Sequence, residues 1–201
     1  MQRLVIATSN AGKLREYRAL LAPLAIEIDS LAALGIDSPA ETGDTFIDNA
    51  LLKARHAALH SGRATLADDS GLEVDALGGA PGVHSARYAS SSGEGDGDAD
   101  NIGKLLRALA GVATAARTAR FQCAVVLLRS ADDPAPLLAT GCWEGRILEA
   151  PRGAGGFGYD PVFLDAASGC SAAELDSATK NARSHRGQAL RQLLTQLSAT
   201  S

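Results

Sequence analysis

RLVIATSNAGKLREYRALLAP, residues 3–23, begins with an apolar run from Arg3 to Ala7 and turns polar at Thr8-Ser9-Asn10. Leu14, Tyr17, Leu20 and Leu21 then recur at helical spacing until Pro23. That order is strand, polar turn, helix. Leu24 to Asp29 reads as a second strand, and Asp37 to Asp44 as a loop. Thr45 with Asp48 three residues on predicts a helix start, and the helix runs from Phe46 to a stop at Ser61-Gly62. Strands alternating with helices place the chain in the α/β class.

Further along, Ala64 to Ala67 reads as a short strand that delivers Asp68-Asp69-Ser70-Gly71 at its end, before a Gly78-Gly79-Ala80-Pro81-Gly82 turn. Ser90 to Asp98 (SSSGEGDGD) is too polar and glycine-rich to pack and is expected to be a mobile loop, with a helix over Ile102 to Leu109. Phe121 to Leu128 and Leu137 to Trp143 read as long central strands, with a third around Ile147. A last helix starts at Ser184, and its Leu190, Leu193, Leu194 and Leu197 form an apolar stripe. No repeat or linker interrupts the 201 residues, so one α/β domain spanning residues 1–201, a mixed sheet with flanking helices, is expected.

Composition narrows the function. Hydrophobic residues are 46%, charged 21% and aromatic 4%, which suits a packed core rather than a disordered chain. Lys and Arg number 19 against 23 acids, a net charge of -4, so no basic footprint for nucleic acid exists. The apolar run at Leu4 to Ala7 is too short for a signal peptide or a membrane span, which points to the cytoplasm. Cys123, Cys142 and Cys170 lie far apart without a C-x-x-C pair and read as small core residues.

Four groups of residues carry candidate chemistry. At Thr8-Ser9-Asn10-Ala11-Gly12-Lys13, backbone N–H groups, the helix dipole and the Lys13 ammonium would converge on an anion; the spacing is not that of a Walker A loop. The same residues also read as an N-cap beside a solvated lysine. Asp68 and Asp69, with Glu41 in the preceding loop, repel one another unless a proton, a cationic side chain or a divalent metal compensates, and hard oxygens suit Mg²⁺. Either Asp also reads as a turn cap. Gly153 to Gly158 satisfies G-x-G-x-x-G, but Pro161 and the β-prone residues after it forbid the helix that a dinucleotide pyrophosphate needs. A loop bearing Phe157 and Tyr159 better suits a planar ligand, or is purely structural. Lys180 and Ser184-His185-Arg186 supply donors suited to phosphate oxygens or a base carbonyl, or form a solvated helix start. The EF-hand-like Asp96 to Asp100 lacks the required Gly and Glu, with Asn101 and Arg107 in their places.

Together these groups resemble the inosine triphosphate pyrophosphatase family. The resemblance is carried by Thr8 to Lys13, Glu41-Thr42-Gly43-Asp44-Thr45-Phe46 with Asn49-Ala50 and Lys53-Ala54-Arg55, Ala67 to Leu72, Gly78 to Gly82 with Ser85-Ala86-Arg87-Tyr88, Gly155 to Pro161, and Ser184 to Leu190, in family order. It implies a mixed α/β fold with two lobes around an active-site cleft, a homodimer, Mg²⁺ dependence, and hydrolysis of dITP, ITP and XTP to nucleoside monophosphate and pyrophosphate. By the same resemblance Asp69 is the general base, and Asp69 and Glu41, with a share from Asp68, hold Mg²⁺. Thr8, Ser9, Asn10, Ala11, Gly12, Lys13, Lys53, Ser70 and Lys180 meet the phosphates or sugar. Phe157, Gly158, Tyr159 and Asp160 form the base loop, Phe157 stacking on the purine. His185, Arg186 and backbone N–H groups of the loop donate to its 6-oxygen, which an adenine amino group cannot accept. The rivals are an oxidoreductase using the glycine loop and a nucleotide sensor without turnover.

Overall fold

β1 (Arg3–Ile6), α1 (Ala11–Leu21) and β2 (Glu27–Ser30) reproduce the strand, turn and helix expected at the N-terminal end, in a computed structural model that describes residues 3–199. Asn10 caps α1 by accepting the Lys13 N–H at 3.0 Å. α2 (Phe46–Ser61) starts on Thr45, whose hydroxyl oxygen accepts the Asp48 N–H at 3.1 Å, and stops at Gly62 in the left-handed region. Then come β3 (Thr65–Val74), α3 (Asp98–Ala108), β4 (Thr118–Leu128), β5 (Leu137–Ile147), β6 (Phe163–Asp165), α4 (Ser177–Arg183) and α5 (His185–Ala199). The strands form one six-stranded sheet in the order β2-β1-β3-β4-β5-β6. It is mixed: β1 pairs in parallel with β2 (Val5 with Asp29) and with β3 (Ile6 with Leu66), whereas β5 and β6 are antiparallel (Arg146 with Leu164).

Two compact units share the chain. The first contains Met1–Asp69, Cys123–Gly141 and His185–Ser201, the second Ser70–Gln122 and Cys142–Ser184. In the first unit the side chains of each strand alternate between two cores. Leu4, Ile6, Leu66, Cys123, Val125 and Leu127 pack with Tyr17 and Leu21 of α1 and Ala189, Leu190 and Leu193 of α5. Val5, Ala7, Ala67, Ala124, Val126 and Leu128 pack with Ala50, Ala54, Ala57 and Ala58 of α2. The second unit has its own core of Leu72, Val74, Phe121, Trp143, Ile147 and Phe163 against Ile102, Leu105 and Leu109.

Several expectations need correction. The strand ending at Ala67 continues through both aspartates to Val74, because cations from distant parts of the chain compensate their charge. Ile147 is the end of β5 rather than a separate strand, and the second strand starts at Glu27 rather than Leu24. Ser90 to Asp98 is tied down. Ser90–Ser92 form a helical turn, Arg107 binds Glu94 at 2.6 Å, Lys104 donates to Ser92 Oγ at 2.7 Å, and α3 begins at Asp98, four residues before Ile102. Ser92 and Arg107 hold the Glu94 carboxyl down at about 2. Cys123 is buried as expected, but Cys142 and Cys170 are only half-buried; all three are free thiols.

Candidate active site

Successive residues of a strand face opposite ways, so Asp68 and Asp69 in mid-β3 address different partners. Both are buried, at 1% and 5% exposure. Asp69 Oδ1 accepts from Lys53 Nζ of α2 at 2.8 Å, and Oδ2 from Asn49 Nδ2 at 3.3 Å. Lys53 Nζ also donates to Glu41 Oε1 at 2.6 Å, so the two carboxylates converge on one ammonium. Asn49 in turn pins the Glu41 loop, exchanging hydrogen bonds with the Gly43 backbone at 2.8 and 3.2 Å. A Cβ at Gly43 would stand 2.7 Å from Asp48 Cβ, so the loop can close there only on glycine. Burial raises the Asp69 carboxyl above its ordinary value, with Lys53 and Lys13 pulling the other way. Burial pulls Lys53 down, but Asp69, Asp68 and Glu41 outweigh it and its ammonium is held more firmly than usual.

Asp68 meets a different set. Its Oδ2 lies 3.0 Å from Lys13 Nζ, 3.3 Å from Arg186 Nε and Nη2, and 3.8 Å from the Cys123 thiol. Burial pushes its carboxyl up, yet Lys13 and Arg186 prevail and keep it well below the usual carboxylate range. Arg186, at 2% exposure, also donates from Nη1 to Glu16 Oε2 at 2.5 Å. Asp68 Oδ1 and the Tyr17 hydroxyl are buried with no hydrogen-bond partner among the described residues. Burial, then Asp68, drives the neighbouring Cys123 thiol up to about 12, so it stays protonated.

The second unit contains the glycine loop. Phe157 N–H donates to Asp160 Oδ2 at 2.8 Å and Gly158 N–H to Asp98 Oδ2 at 2.6 Å. Lys180 Nζ lies 2.6 Å from Asp160 Oδ2 and 4.9 Å from the centroid of the Phe157 ring. Gly156 has φ +74°, and a Cβ there would collide with the Asp160 carboxylate. The Tyr159 hydroxyl donates to the Ser85 carbonyl oxygen at 2.9 Å, and its ring is in the core.

A family model of the Ham1 family matches residues 4–196. The chain belongs to the Ham1 family. Among its relatives, a protein of Methylococcus capsulatus named dITP/XTP pyrophosphatase is 57% identical over 98% of this chain and 97% of that one. A dITP/XTP pyrophosphatase of Xanthomonas campestris is 55% identical over the full length of both. The solved structure of a Ham1 protein from Coxiella burnetii superposes with a TM-score of 0.87 at 47% identity, covering 99% of this chain and all of that one.

Within the Ham1 fold, the first unit brings together Lys13, Glu41, Lys53, Asp69 and Arg186 with Asp68, while Asn10 caps the helix that carries Lys13, and the second unit brings together Phe157, Gly158, Asp160 and Lys180. Thr8 accepts the Asn10 N–H at 3.1 Å and so shapes the turn before α1, where Ser9 and Ala11 are exposed and Gly12 half-buried. His185 is buried at the start of α5, and Ser70 is half-buried in β3. Two details depart from expectation. The Phe157 and Gly158 amides, expected to face a base oxygen, are held by carboxylates, and Arg186 is turned inward onto Asp68 and Glu16. Nothing in the sequence marks Glu16, Tyr17 or Asp98 as site residues. Glu16 and Tyr17 sit in an ordinary helix pattern, and Asp98 in a stretch whose composition suggests only solvent.

Proposed function

We propose that this Ham1 protein hydrolyses the non-standard purine nucleoside triphosphates dITP, XTP and ITP to nucleoside monophosphate and pyrophosphate. The observation that carries this reading is full-length identity of 55–57% to proteins named dITP/XTP pyrophosphatase. The Asp69, Lys53 and Glu41 geometry supports it. A carboxylate raised by burial is a stronger base than a free one, so Asp69 would orient water and take its proton as the water attacks the α-phosphorus. The bond to the pyrophosphate oxygen then breaks. Lys53 would hold Asp69 and Glu41 in place, while Asn10, Lys13 and the α1 N-terminus would offset charge on the triphosphate and the leaving pyrophosphate.

A nucleotide pyrophosphatase family suggests a divalent cofactor, and Mg²⁺ is the proposed ion. Among the described residues no three His, Cys, Asp or Glu form a metal-binding group. Glu41 and Asp69 nevertheless fit the ion. Both are hard oxygen donors within 2.6 and 2.8 Å of one cationic atom, and Mg²⁺ takes one or two carboxylates plus phosphate oxygens. When bound, it would neutralise phosphate charge and acidify water.

For the base, Phe157 would stack on the purine, with Gly158, Tyr159 and Asp160 shaping the loop and Lys180 fixing Asp160. His185 would donate to the 6-oxygen, and Arg186 would do so on leaving Asp68. Ser70, Thr8, Ser9, Ala11 and Gly12 belong to the phosphate and sugar contacts. The match across residues 4–196 supports treating the chain as one functional domain. A homodimer in the cytoplasm completes the proposal; among the described residues no helix is long and apolar enough to cross a membrane.

The test is pyrophosphate release from ITP, XTP, dITP, ATP and GTP, with Mg²⁺ or EDTA, for wild type and Asp69→Asn. Release from the first three alone, lost with EDTA and with the substitution, is expected. Equal rates on all five, or orthophosphate as product, would overturn it.

A further inference from the structure

The loop that carries Phe157 is held by two carboxylates of different origin. Asp160 belongs to the loop itself, accepts the Phe157 amide at 2.8 Å and is backed by Lys180 at 2.6 Å. Asp98 is the first residue of α3, sixty residues earlier, and accepts the Gly158 amide at 2.6 Å. Gly158 has φ +60° with nothing within 4 Å of where a Cβ would stand, so its own backbone does little to fix the loop. α3, by contrast, is fixed. Ile102 and Leu105 are in the core, and Asn101 accepts the Ala89 amide at 2.7 Å and donates to the Ala86 carbonyl oxygen at 3.2 Å. The polar segment before it is tied to the same helix through Lys104 and Arg107.

We propose that Asp98 is a positioning residue for base recognition: anchored on α3, it clamps the Gly158 backbone and so sets the Phe157 ring against the purine. The proposal rests on the reading of Phe157 given above. A charge-assisted hydrogen bond to a backbone amide is short and strong, and holding the amide next to Phe157 removes freedom that a ligand would otherwise have to restrict. This gives the glycine- and aspartate-rich stretch a purpose, namely to deliver Asp98.

Amide exchange resolved by NMR on the free protein tests the clamp. The Gly158 amide is expected to be protected in the wild type, exposed in Asp98→Ala, and largely protected in Asp98→Asn, whose side-chain oxygen still accepts. Turnover of ITP tests the consequence. Asp98→Ala should raise KM about tenfold with kcat within about twofold, the factor one such hydrogen bond supplies, and Asp98→Asn should recover most of it. In a double-mutant cycle, Asp98→Ala should add nothing to Phe157→Ala, because it acts through that ring. An unprotected Gly158 amide in the wild type, or additive effects in the cycle, overturns the proposal. A wild type that releases no pyrophosphate from ITP overturns the underlying reading of the loop instead, and the exchange data then decide the clamp alone.

Discussion

Lys53 is the residue on which the charge balance of the first unit turns. Its ammonium lies 2.8 Å from Asp69 and 2.6 Å from Glu41, with 9% of its side chain exposed. Removing one partner of a buried ion pair leaves the other uncompensated, so Lys53→Met is expected to cost about 3 kcal/mol of unfolding free energy in urea titrations. Adding Asp69→Asn should restore part of that loss, since a neutral amide needs no cation; a single substitution costing under about 0.5 kcal/mol would show that water, not Lys53, solvates Asp69. Asp165 gives the pH-dependent counterpart. Burial pushes its carboxyl up, but hydrogen bonds from Ser168, the Trp143 indole and Arg183 win and lower it. A depressed folded pKa stabilises fully above the unfolded value of about 3.9 and progressively less as pH falls below it. Between pH 6 and pH 3 the wild type should therefore lose more stability than Asp165→Asn, which has no proton to gain. Trp143, the only tryptophan and 3.1 Å from Asp165, reports the unfolding by its emission. At this scale the acids were legible as a pattern, Asp-Asp after an apolar run, but their compensation was not. Lys13, Lys53 and Arg186 lie 55, 16 and 118 residues from the aspartates they bind, beyond any local spacing rule.

Elements with a strong local signal came out of the sequence nearly whole. α1 and α2 have their caps written beside them in Asn10, Thr45 and Gly62, and the leucine stripe of α5 follows the helical period. α4 and β6 went unread, because seven and three residues are too short to establish a period. What a sequence pattern cannot express is close approach, and two glycines make the contrast measurable. A Cβ on Gly141 of β5 would collide with the His185 carbonyl oxygen and stand 2.7 Å from Ala189 N, so the first turns of α5 lie directly on that strand. Gly141→Ala must push α5 away and is expected to cost about 2 kcal/mol, with a lower urea midpoint. Gly103 in α3 would meet only the far end of the Arg107 side chain, at 3.2 Å. Gly103→Ala should gain about 0.5–1 kcal/mol from helix propensity. If both substitutions shift stability the same way, the close approach of α5 to β5 is not what constrains position 141.

Across the whole molecule the chain enters and leaves each unit more than once. Three of the four crossings fall inside strands, between Asp69 and Ser70 in β3, Gln122 and Cys123 in β4, and Gly141 and Cys142 in β5. No change of composition marks these points, which is why residues 1–201 read as one α/β unit. The order of the motifs was legible from end to end, since each is local, and it led to the family that residues 4–196 match. Linkage measures the proposed substrate choice without turnover. A ligand that binds only the folded state stabilises by RT ln(1 + [L]/Kd), about 2.7 kcal/mol at a hundredfold excess over Kd. With Asp69→Asn to block hydrolysis and Mg²⁺ present, dITP at that excess should raise the unfolding midpoint by several degrees, on the order of 2–4 °C per kcal/mol at this size. dATP at the same concentration should give no comparable rise, because its 6-amino group leaves the donors assigned to the 6-oxygen without an acceptor. Equal stabilisation by the two nucleotides would place discrimination in the chemical step rather than in binding. The roles given to His185 and Arg186 would then have to be withdrawn, while the role given to Asp69 would stand.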